Sequence, residues 1–86
     1  MITKKVTIHN ADGLHTRPAS IFVREAGKFA SEIHLTRDDM TINGKSIMGL
    51  LMLALGPGSE VELTIEGADE TEAMESLSAL LSGSFQ

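Results

Sequence analysis

The residues best equipped for chemistry are concentrated in Gly13-Leu14-His15-Thr16-Arg17-Pro18-Ala19. An imidazole is a nucleophile when neutral. An arginine two residues on carries a planar fork of donors that matches phosphate oxygens. Pro18 suits the first turn of a helix, where a missing N–H costs little. A helix start also offers unpaired backbone N–H groups and the positive end of the macrodipole, which together bind anions. His15 as nucleophile, with Thr16, Arg17 and Pro18 around a bound phosphate, is therefore a candidate site for covalent phosphoryl transfer. The plainer alternative is a surface histidine capping a helix, followed by a solvated arginine. Arg17 sits at the end of the helix dipole that disfavours a cation, and that placement argues for a role beyond stability.

Ser46 is the next candidate. It can cap a short helix beginning near Ile47, and a phosphate on it would lie at a helix N-terminus, so it fits a regulatory site as well as a structural cap. Ile47, Met48, Leu51 and Met52 are apolar on a helix too short to bury every side. They either pack in the core or leave an exposed docking patch, for which flexible methionine is suited. His9 and His34 fall at polar-facing strand positions. No spacing of His, Asp or Glu suggests a metal site, no glycine-rich nucleotide loop is present, and no cofactor is implied.

The elements that would position these residues are legible from periodicity. Lys4 to His9 alternates with Val6 and Ile8 on one side, as a half-buried strand does. Asn10 to Gly13 reads as a loop. Ala19, Phe22, Val23, Ala26, Phe29 and Ala30 recur at helical spacing, with Gly27 inside or near the end. Glu32 to Thr36 is a second strand, Asp38-Asp39 a tight turn, and Met40 with Ile42 a returning third strand. The helix opened by Ser46 is expected to run to about Leu55, because Gly56-Pro57-Gly58 cannot continue it. Glu60 to Glu66 alternates around Val61, Leu63 and Ile65. Asp69-x-x-Glu72 has the form of a capping box before a last helix whose stripe is Ala73, Met74, Leu77, Leu80 and Leu81. The order is βαββαβα. One-faced alternation predicts an α+β fold, an antiparallel sheet covered on one face by helices.

The chain has 86 residues, which predicts one domain over residues 1–86 with a small core and a surface site rather than a deep cleft. It has no cysteine, so neither a disulfide framework nor a thiolate metal site is available. The formal net charge is −5, and all seven acids that follow Lys45 lie in a stretch without a cation. That balance disfavours nucleic-acid binding, which needs a basic face. No apolar run is long enough for membrane insertion and no leader segment is visible, so a cytoplasmic location is expected.

The stretch Gly13 to Ala19 resembles the active-site signature of the HPr family, the histidine-containing phosphocarriers of the bacterial phosphoenolpyruvate-dependent sugar phosphotransferase system. Lys45-Ser46-Ile47-Met48-Gly49 resembles the regulatory-serine segment of Gram-positive-type members, and Gly67-Ala68-Asp69-Glu70 is also family-like. The resemblance extends over essentially the whole chain. It implies an open-faced β-sandwich with a four-stranded antiparallel sheet and three helices. It implies a monomeric phosphoryl carrier rather than an enzyme, taking the group on His15 from enzyme I and passing it to an enzyme IIA. It further implies Arg17 as stabiliser of that group, and a docking surface of Thr16, Ser20, Arg24, Ile47, Met48 and Leu51. Ser46 would be the target of a kinase/phosphorylase, its phosphorylated form a corepressor for a transcriptional regulator. Nitrogen-related or dihydroxyacetone-related branches, or a purely regulatory module of the kind that lacks the histidine, are the alternatives. Gly27 stands where relatives are often cationic or polar, and Asp12 would repel a phosphoryl group if its side chain approached His15.

Overall fold

The computed structural model describes residues 1–10 and 13–83. Its elements are β1 (Ile2–Thr7), α1 (Thr16–Ala26), β2 (Glu32–Arg37), β3 (Met40–Asn43), α2 (Ile47–Met52), β4 (Glu60–Glu66) and α3 (Glu70–Leu81). The strands form one antiparallel sheet in the order β1-β4-β2-β3. Alternation in β4 sends Val61, Leu63 and Ile65 to the buried face, where Ile33 and Leu35 of β2 and Val6 of β1 join them. Phe22 of α1, Leu50 of α2, and Leu77 and Leu81 of α3 complete the core from the helical side. The other sheet face is polar, with the hydroxyls of Thr3 and Thr64 paired at 3.3 Å and those of Thr36 and Thr41 at 2.9 Å. The result is the open-faced sandwich that one-sided alternation predicts. No helix among the described residues is long and apolar enough to cross a membrane.

Element boundaries depart from sequence expectation where tertiary partners intervene. β1 is shifted toward the N-terminus, because its partner β4 begins only at Glu60, opposite Thr7. Ile8 is fully buried beyond the strand end, and bonds the Gly58–Ser59 turn through both its N–H and its carbonyl, each at 2.8 Å. α1 ends at Ala26, with Gly27 at its C-cap. Phe29 still packs on the core, but Ala30 is exposed and its N–H turns away to Asp69. α2 stops at Met52 rather than near Leu55. Its last turn tightens, Leu53 bonding Leu50 and Ala54 bonding Leu51, and Ala54 takes a left-handed φ of 51°. The Arg37 guanidinium holds this end, donating to the carbonyls of Leu53 at 2.9 Å and Ala54 at 2.8 Å. The Leu53 carbonyl, at the C-cap, is one that a helix end leaves without an intrahelical donor, and Ala54 follows it outside the helix.

The expected capping box at Asp69 does not form. Asp69 is the N-cap residue of α3, but its side chain caps nothing there. The carboxylate accepts instead from the N–H groups of Ala30 and Ser31, at 2.8 and 3.0 Å, and from the Ser31 hydroxyl. The Ser31 hydroxyl, then the Ala30 N–H, holds the Asp69 carboxyl below the usual carboxylate range. The reach-back to an orphan donor is made two residues earlier, by Glu70 to the N–H of Gly67 at 3.0 Å.

Candidate functional site

The His15 turn is built from contacts on both sides. Gly13 adopts a φ of 71°, open to glycine at little cost, and a Cβ there would stand 2.6 Å from the Leu55 carbonyl oxygen. Leu14 is buried, and its N–H donates to that same carbonyl at 2.7 Å. His15 follows as the N-cap of α1, exposed and extended (φ −99°, ψ −162°), with its side chain making no capping bond. Its carbonyl accepts from Ala19 at 2.9 Å, which starts the helix.

His15 is thus exposed at the start of α1, where the helix leaves backbone donors free. The backbone N–H groups of His15, Thr16 and Arg17 have no acceptor among the described residues, and Pro18 has no N–H to satisfy. Thr16 and Arg17 are exposed and Pro18 is buried. The first turn of α1 contains no acidic residue to compete with an anion. Asp12, the nearest acid in sequence, lies outside the described residues.

Two bonds tie α1 to α2 in an antiparallel pair. The chain before α1 meets the chain after α2 through Leu14 and Leu55. The chain after α1 meets the chain before α2 through Lys45, whose Nζ donates to the Phe29 carbonyl at 2.7 Å. His15 and Ser46 therefore enter the surface of the pair from opposite ends. Ser46 does cap α2, its Oγ accepting from the Gly49 N–H at 3.1 Å. Along the shared surface Arg24 is exposed and Ser20 half-buried. Ile47 is 39% exposed, Met48 71% and Met52 63%, while Leu51 is half-buried against the core. Leu50 fills the core, and Ile47, Met48 and Met52 stand outside it.

Sequence reading missed Arg37, which fixes the end of α2 on which Leu14 rests, and Asp69, which fixes the turn after α1. Both act through backbone groups distant in sequence, and no local pattern marks such pairs. His9 is exposed and His34 half-buried. No group of three or more His, Cys, Asp or Glu among the described residues is arranged to hold a metal ion.

A family model for the phosphorylation site of the HPr component of the phosphotransferase system matches residues 2–83. An HPr-like protein Crh of Halalkalibacterium halodurans is 49% identical over 81 residues, covering 94% of this chain and 96% of that one. A phosphocarrier protein HPr of Neisseria meningitidis serogroup A is 46% identical over 85 residues, covering 99% and 96%. Among solved structures, an HPr from Thermoanaerobacter tengcongensis superposes with a TM-score of 0.93 at 42% identity, covering 99% of this chain and 96% of that one. An HPr dimer from the same organism superposes with a TM-score of 0.78 at 42% identity, covering 100% and 99%. That dimer conflicts with the expectation of a monomer.

Proposed function

The chain belongs to the HPr family of phosphotransferase-system phosphocarriers, and from that premise we propose that His15 is the residue that carries the phosphoryl group. The observation that supports this reading is the exposed imidazole at the start of α1, beside successive N–H groups without acceptors. A neutral ring nitrogen attacks phosphorus on the phosphohistidine of enzyme I. A new P–N bond forms as the old one breaks, and the donor imidazole keeps its electron pair. The same step in reverse delivers the group to a histidine of enzyme IIA. Water takes no part in the transfer, and the exposed site is open to a docking partner.

The surrounding residues divide the remaining work. The N–H groups of Thr16 and Arg17, with the Arg17 fork, receive the phosphoryl oxygens. Pro18 fixes the first turn without adding a donor that would need another partner. Thr16, Ser20, Arg24, Ile47, Met48 and Leu51 present the docking surface of the α1–α2 pair to both partners. Residues 1–86 act as one domain, in the cytoplasm where phosphoenolpyruvate is made, serving sugar uptake.

Ser46 is the regulatory position in this reading, a substrate for an ATP-dependent kinase/phosphorylase. Its phosphate would add charge beside Ile47 and Met48, at the end of the helix pair remote from His15. It therefore weakens docking of enzyme I rather than repelling the transferred group. The 49% identity to a Crh protein supports a second role for the phosphoserine form, as corepressor of a transcriptional regulator.

The test is labelled phosphoenolpyruvate with enzyme I and this chain as acceptor. Acid-labile label that disappears in His15→Ala is the expected result. Equal labelling of that variant would sink the assignment. Label on Ser46 from ATP, with none on His15 from a matched enzyme I, would leave the regulatory role alone.

A further inference from the structure

We propose that the thioethers of Met48 and Met52 form an oxidation site through which hydrogen peroxide lowers the chain's acceptance of phosphoryl groups. The proposal rests on the docking role assigned above to the α1–α2 surface. The chain has five methionines and no cysteine, so thioethers are all the sulfur that an oxidant meets. Their exposure differs sharply. Met74 is 7% exposed and belongs to the core, whereas Met48 and Met52 are 71% and 63% exposed. The latter two stand four residues apart on α2, hence on one face, next to Ile47. Met40, 41% exposed, lines a depression with Met52 and Leu53, so thioether surface continues from α2 to the β2–β3 hairpin.

The chemistry is a two-electron oxygen transfer. A sulfur lone pair attacks one peroxide oxygen, the O–O bond breaks, the S–O bond forms, and the remaining oxygen leaves as water after proton transfer. Sulfur is oxidised and peroxide reduced. The product is a polar, chiral sulfoxide in place of a flexible apolar side chain. At an interface the sulfoxide oxygen must be desolvated without a prepared donor, which disfavours docking. The fold is spared, because neither side chain is in the core. A dithiol reductant reverses the change: two thiols become a disulfide and the sulfoxide oxygen leaves as water.

The experiment treats the full chain with hydrogen peroxide, resolves each methionine by peptide mass spectrometry, and measures the initial rate of labelling from phosphorylated enzyme I. Met48 and Met52 should oxidise well before Met74. The rate should fall at least ~fivefold as they do, as expected when Met48 is lost from the docking surface and its helix neighbour Met52 turns polar beside it, and recover on reduction by a methionine sulfoxide reductase. For each variant the quantity read is the ratio of treated to untreated rate, whatever its starting rate. That ratio should be near one in M48L/M52L and as low as in the parent in M40L. An unchanged rate with both residues fully oxidised overturns the proposal, as does full sensitivity in M48L/M52L. An untreated chain that accepts no label would instead overturn the carrier reading on which the proposal rests.

Discussion

Replacing Gly13 by alanine separates backbone strain from close packing in the turn that carries His15. The new Cβ would lie 2.6 Å from the Leu55 carbonyl oxygen and 2.8 Å from Gly56 Cα, both backbone atoms that cannot simply rotate away. A left-handed φ costs an alanine about 1–2 kcal/mol, and forcing an extra carbon into a packed site costs about 1–3 kcal/mol. The stiffer unfolded chain returns about 0.4–1 kcal/mol. The net is a loss of about 3 kcal/mol, and at ~4–8 °C per kcal/mol for a domain of this size Tm should fall by at least ~10 °C. Gly58→Ala is the matched control, since φ is 84° there but nothing lies within 4 Å of the added carbon. It keeps only the backbone cost, about 1 kcal/mol net. Thermal unfolding followed by far-UV circular dichroism reads both values. Labelling from enzyme I, measured well below either Tm, should be slowed at least ~tenfold in Gly13→Ala, because small misplacements of a reacting group are expensive. Equal melting of the two variants would refute the idea that Leu55 and Gly56 position the His15 turn.

Other outcomes follow from the same structure. His15→Ala should melt within about 0.5 kcal/mol of the parent, as exposed substitutions do, while losing all acid-labile label. Arg17→Gln should cut phosphoryl acceptance by about ten- to a hundredfold through loss of a preorganised charge, yet leave urea unfolding unchanged or slightly improved, since a cation is removed from the positive end of α1. Ser46→Ala should cost about 1 kcal/mol in urea unfolding through loss of the cap, whereas Ser46→Asp should keep the cap and slow labelling. Asp69 has a folded pKa lowered by the Ser31 hydroxyl and the Ala30 N–H. Its stabilisation is therefore complete above the unfolded value of about 3.9 and lost as pH falls through the lower folded value. Urea midpoints should drop more steeply below about pH 4 in the parent than in Asp69→Asn; parallel curves would contradict the sign.

Much of this was legible because it is local. Alternation in β4 states which face is buried, and the cap on α2 needs only Ser46 and the N–H of Gly49. The turn into α1 is legible because His15, Arg17 and Pro18 are adjacent and the first turn of a helix has a fixed set of free donors. What was not legible depends on groups brought together by the fold. Asp69 has the right type and place for an N-cap, but the donors of Ala30 and Ser31, supplied by the α1–β2 turn, take its carboxylate. The end of α2 was misplaced because Ala54, not a glycine, takes the left-handed conformation there, under the guanidinium of Arg37. Leu51 and Leu50 are the same residue type side by side, and only the position of α1 and the sheet decides which one is core.

The strand order also sets a sequence of events in synthesis. His15 emerges early from a ribosome, but the carbonyl that holds its turn belongs to Leu55, and among the described residues β1 pairs with β4 alone, Ile2 lying opposite Ile65. Pairings between such distant segments form late and slowly. A nascent chain that has exposed its nucleophile, but not β4, holds an imidazole on an unformed helix with no gathered donors. If His15 carries the group as proposed, competence to accept it should arise only after translation has passed β4 and β1 has paired with it.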